Sequence, residues 1–73
     1  MSVTRARIAK AIKKATGLDG EIFCGGGVCH FYSDIDPVLS DLLHDKDKST
    51  VMVCYLNQLT ISEWVAEFKE AIK

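Results

Sequence analysis

Glu21-Ile22-Phe23-Cys24-Gly25-Gly26-Gly27-Val28-Cys29-His30-Phe31-Tyr32-Ser33 sets two β-prone runs around three consecutive glycines. Aromatic and β-branched side chains suit a pleated, half-buried surface, and adjacent glycines supply the positive φ that a tight hairpin turn needs. The stretch reads as a β-hairpin with strands over 21–24 and 28–33. Two registers are open. A two- or four-residue loop sets Cys24 opposite Cys29, and a three-residue loop sets Cys24 opposite Val28. The choice decides which strand residues face the core.

Upstream, residues 2–16 carry a helical period. Ile8, Ala11, Ile12 and Ala15 gather on one face, and Arg7, Lys10, Lys13 and Lys14 on the other. Ser2 or Thr4 is placed to cap the start. Gly17 suits the stop, and Lys13 and Lys14 suit the negative end of the helix dipole.

Downstream, Asp34-Ile35-Asp36-Pro37 opens a short helix over 37–44, with Asp36 as cap and Pro37 at its first position. Residues 45–49 read as an exposed polar loop. Thr50–Leu56 is apolar on both faces, which predicts a strand central in its sheet. Asn57-Gln58 then supply a turn. Thr60 and Glu63 form a T-x-x-E capping box, and Leu59 and Trp64 are spaced for a hydrophobic staple. The helix that follows carries the apolar stripe Ile61, Trp64, Val65, Phe68 and Ile72.

The expected fold is therefore α+β, in the order α-β-β-(short α)-β-α. It is a single small domain over 1–73, with a three-stranded antiparallel sheet and both long helices on one face.

Seventy-three residues allow one modest core, yet 48% of them are apolar. Two helices cover one sheet face; the other shows alternate residues of three strands unless the segment 37–44 folds back over it. Exposed apolar surface of that kind calls for a partner protein or a second copy. Formal net charge is −1, so electrostatic recognition is local rather than global. The charge is split along the chain. Residues 1–18 hold Arg5, Arg7, Lys10, Lys13 and Lys14 and no acid, whereas 19–45 hold six acids and no Lys or Arg.

Three cysteines and no apolar secretory leader predict free thiols in a reducing cytoplasm. No run approaches the roughly 18 apolar residues of a membrane span. Cys24, Cys29, His30, His44 and Cys54 do not have zinc spacing, and Cys29 and His30, as strand neighbours, point to opposite faces. A redox pair of Cys24 with Cys29 requires the matching register. Gly25-Gly26-Gly27 lacks the Lys-Ser/Thr of a phosphate loop, and Asp45-x-Asp47-x-Ser49 lacks the glycine and terminal Glu of a calcium loop. No residue set points to catalysis, and no metal or cofactor is expected.

Leu56-Asn57-Gln58-Leu59-Thr60-Ile61-Ser62-Glu63-Trp64-Val65 resembles the tail of short phage and prophage proteins, in which L-x-x-L-T/S-x-x-x-W follows a β-rich middle. The resemblance covers the last quarter of the chain. It implies a mobile-element accessory protein, a class in which many members bind and block a host protein such as a defence complex. The element order is also similar to the double-stranded-RNA-binding fold, but Ile61-Ser62-Glu63 stands where those domains carry a Lys-rich helix start.

The expected function is a non-enzymatic protein-binding module of the phage-inhibitor type, acting in the host cytoplasm. Its candidate contacts are the basic residues Arg7, Lys10 and Lys14 and the acidic residues Asp34, Asp36, Asp41 and Asp45. The alternative is a nucleic-acid-binding accessory protein using the basic face of the first helix.

Overall fold

The computed structural model describes residues 3–73. Helix α1 spans Arg5–Thr16 and buries Ile8 and Ile12. The Thr4 hydroxyl accepts from the Arg7 amide at its start, and Gly17 at φ 75° ends it. Ser2, the other expected cap, lies outside the described residues. Ala15, expected in the core, is exposed, and Ala11 is half-buried.

Strands β1 (Glu21–Gly25) and β2 (Val28–Tyr32) form the hairpin around Gly26 and Gly27, whose φ angles are 63° and 84°. Two successive positive φ values are what a type I′ two-residue hairpin turn demands, and glycine adopts them without steric cost. The register is thereby settled: Cys24 faces Cys29, and Ile22 faces Phe31. Ser33, expected as the last strand residue, lies just beyond β2. Its buried hydroxyl donates to the Asp19 carbonyl and accepts from the Asp36 amide, tying the hairpin's two ends.

Helix α2 (Pro37–Leu42) begins at Asp36, whose carboxylate accepts from the Val38 and Leu39 amides, and it stops two residues short of the expected 44. The expected loop 45–49 contains a one-turn helix, α3 (Lys46–Ser49), with Ser49 buried. Strand β3 is Thr50–Val51 alone. It pairs antiparallel with β2, so the sheet order is β1-β2-β3. The central strand is β2, and β3 is an edge.

The long central strand expected over 50–56 is absent for a physical reason. The Val53 amide donates back to the Val51 carbonyl and turns the chain off the ladder. The Gln58 side-chain oxygen then accepts from the Cys54 and Tyr55 amides at 2.7 and 2.9 Å, taking the place of a neighbouring strand. A 3₁₀ turn over Leu56–Gln58 leads into helix α4 (Ile61–Ala71).

The Thr60–Glu63 capping box forms as the sequence predicts. Helices α1 and α4 pack together on one face of the sheet. Between them and the strands lies the core of Ile8, Ile12, Ile22, Cys29, Phe31, Leu39, Leu43, Trp64, Phe68 and Ala71. Gly20 gives α4 its seat, since a Cβ there would overlap the Phe68 ring.

Gly20→Ala should therefore lower stability by about 1–3 kcal/mol, as overpacking does. An unchanged urea midpoint would show that this close approach does not seat α4. Glu63 supplies a pH test. Its carboxyl is held below the usual value of 4.5 by accepting from the Thr60 backbone amide and, second, by its bond with the Thr60 hydroxyl. A lowered carboxyl pKa adds stability that is complete above the unfolded value and lost as pH falls through the folded one. Wild type should melt above Glu63→Gln at pH 7, and the gap should close as acid is added; a gap constant with pH would contradict this.

Candidate functional site

Strand alternation sends Ile22, Cys24, Cys29 and Phe31 toward the helices and Glu21, Phe23, Val28, His30 and Tyr32 to the opposite face. Phe23 lies opposite His30 with ring centroids 5.8 Å apart, and His30 and Tyr32 follow at 6.5 Å. Phe23 remains 46% exposed. Thr50 extends the same face from β3, opposite His30.

Arg5 reaches this face from the first turn of α1. Its Nε donates to the Ile22 carbonyl at 2.9 Å and its Nη2 to the Tyr32 hydroxyl at 3.0 Å. Its guanidinium carbon sits 5.6 Å from the Phe23 ring centroid. Three contacts hold the guanidinium in place, so ordering it for a partner costs little further entropy. The contact with Ile22 also occupies part of the exposed β1 edge. This cluster of Arg5, Phe23, His30 and Tyr32 was not among the expected site residues. One signal for Arg5 was present: its helical phase lies far from Arg7, Lys10 and Lys14 and close to Ile8 and Ile12.

The expected basic residues do come together. Arg7, Lys10 and Lys14 line one open groove of about 520 Å³ with Ala11 and, from α4, Ile61. Lys13 leaves that face to pair with Asp19 at 3.1 Å. The expected acidic residues are distributed along α2 and its flanks. Asp34, Asp41 and Asp45 are exposed, whereas Asp36 is half-buried with its carboxylate given to the helix cap. Among them the sequence reading missed an apolar ridge. Val38 and Leu42, at the four-residue spacing that shares one helical face, are 69% and 47% exposed, and Ile35, just before the cap, is 74% exposed, while Leu39 and Leu43 enter the core.

Cys24 and Cys29 form a disulfide, which replaces the expected free thiols at those positions. A two-residue hairpin makes theirs a non-hydrogen-bonded pair, the kind that brings Cα atoms closest, here 3.9 Å. Cys54 is a free, exposed thiol whose Sγ donates to the Gly27 carbonyl at 3.4 Å. His30 points away from Cys29, as strand geometry requires. It lines a small hollow of about 250 Å³ with His44, Ser33, Ser40 and Ser49. Among the described residues no three His, Cys, Asp or Glu side chains are grouped to hold a metal ion, and no helix is long and apolar enough to cross a membrane.

No family model, curated protein or solved structure matches this chain.

Protein purified without reductant should titrate with one reactive thiol per chain, rising to three after reduction and unfolding. Closing so short a loop adds about 2 kcal/mol on the chain-entropy estimate, so reduction should lower the melting temperature while leaving the fold. Three reactive thiols in the oxidised protein would refute the pairing.

Proposed function

We propose that this chain is a non-enzymatic protein-binding module that acts by occluding a surface of its partner. The observation that carries the reading is the outer sheet face, where Phe23, His30 and Tyr32 stand in a row with Arg5 fixed across them. Aromatic residues and arginine dominate the energetic centres of protein interfaces, because they bury large areas at small entropic cost. A preorganised arginine adds directional donors for a partner's carboxylate or carbonyl. The partner fitted to this face presents aliphatic or aromatic side chains around one acidic group.

An inhibitor of a host protein or defence complex, of the phage type, is the biological setting this reading favours; the Cys24–Cys29 disulfide removes the free-thiol argument for a reducing cytoplasm. Support for that setting is the small size of the domain, an open binding face and the form of the α4 start. The nucleic-acid alternative draws on the clustering of Arg7, Lys10 and Lys14 in one groove. It predicts binding that weakens steeply with salt.

Wild-type protein used as bait in a lysate of its native cell should retain a stoichiometric protein. A bait carrying Arg5→Ala and Phe23→Ser should bind that partner at least about 30-fold more weakly, as loss of an interface centre does. Circular dichroism should show both baits folded. Equal retention by the two baits would refute the sheet face as the contact.

A further inference from the structure

The ridge on α2 and the groove between α1 and α4 are opposites in shape and in charge, and both belong to the same chain. The ridge is aliphatic, formed by Val38 and Leu42 on α2 with exposed Ile35 just before the cap; the exposed carboxylates are Asp41, next to Leu42, and Asp34, next to Ile35. The groove has half-buried Ala11 and Ile61 for its apolar part and Lys10 and Lys14 at its rim. Among the described residues, neither Lys10, Lys14, Asp34 nor Asp41 has a salt-bridge partner within the chain. Asp36 takes no direct part. Its carboxylate fixes the start of α2, and so sets the ridge.

From this complementarity the geometry points to a second copy of this chain as the occupant of the groove, seated through the α2 ridge. Aliphatic side chains leave water against Ala11 and Ile61, which supplies the non-directional part of the attraction. The lysine rim meets the aspartates, which steers encounter and sets orientation more than it adds affinity. With a formal net charge of −1, two copies carry almost no overall repulsion to overcome. Helix α2 has six residues, fewer than two turns, so the contact is smaller than the roughly 800 Å² per partner of a standard interface. Self-association is accordingly weak and depends on concentration and ionic strength. It does not use the Arg5–Phe23–Tyr32 face, so the copies assemble without hiding the surface assigned to a host protein. Either reading can fail without the other.

Sedimentation equilibrium tests it on the whole chain. Between about 10 μM and 1 mM, a range that spans weak association, the weight-average mass of wild type should rise. Added salt should lower it. Leu42→Asp, the pair Lys10→Glu with Lys14→Glu, and the pair Asp34→Lys with Asp41→Lys should each raise the dissociation constant about tenfold or more. All these positions are exposed or lie outside the buried core, so circular dichroism should stay native. The two charge-reversed proteins mixed in equal amounts present matched surfaces again, and mass should be restored.

A wild type that stays monomeric throughout would overturn the proposal. So would association that persists in all three variants, or a charge-swapped mixture that stays monomeric. A monomer whose Lys10–Lys14 groove instead binds duplex or single-stranded DNA, with salt-dependent affinity lost in the lysine reversal, would also overturn it and assign the groove to nucleic acid.

Discussion

Trp64, Phe31 and Phe68 meet edge to face in the centre of the molecule, and most of the other placements follow from that contact. Phe31 on the central strand lies 6.0 Å from Trp64 at 82° and 5.4 Å from Phe68 at 79°, so one strand side chain locks two turns of α4. Such pairs add about 0.5–1.5 kcal/mol each beyond the apolar area they bury. The Trp64 indole N–H is buried with the ring and has to be satisfied, and it donates to the Leu56 carbonyl at 2.7 Å. That bond draws the 3₁₀ turn against α4. The chain between Val51 and Leu56 therefore leaves the sheet, and Gln58 satisfies the amides that the ladder gives up.

With α1 and α4 committed to this core, the opposite sheet face lies open. Helix α2 does not cover Phe23; it puts Leu39 and Leu43 into the core and leaves Ile35, Val38 and Leu42 outside. A domain of this size has too little interior for all its apolar residues. The surplus lies on an aromatic sheet face crossed by Arg5, on an aliphatic ridge with aspartates beside it, and at Met52 and Tyr55 in the segment after β3. Ordered, clustered exposure of this kind is how binding surfaces differ from scattered surface hydrophobes.

The hairpin shows how the two levels of structure share a decision. The glycines announce a turn, but Gly25-Gly26-Gly27 leaves two registers open. The one adopted puts Ile22, Cys24, Cys29 and Phe31 together on the inner face, where the helices await them. The other pairing would have changed the cross-strand neighbour of every one of these residues. The disulfide is a consequence of that register, which is why counting cysteines did not reveal it.

What the linear sequence determined by itself was local. The Thr60–Glu63 box, Asp36-Pro37, Gly17 after a helical period and the glycine turn all act within a few residues, through backbone groups that have to be satisfied wherever the segment lies. Hence the element order and the α+β class were legible. Tertiary structure decided whatever depends on distant groups. Val-Met-Val-Cys-Tyr-Leu has strand propensity along its length, yet only Thr50 and Val51 find a ladder, because Trp64 claims the Leu56 carbonyl from eight residues away. The sheet-face cluster was hidden for the same reason. Arg5, Phe23, His30 and Tyr32 are separated along the chain, and only the register of the hairpin and the packing of α1 on β1 bring a guanidinium, two aromatic rings and an imidazole onto one surface.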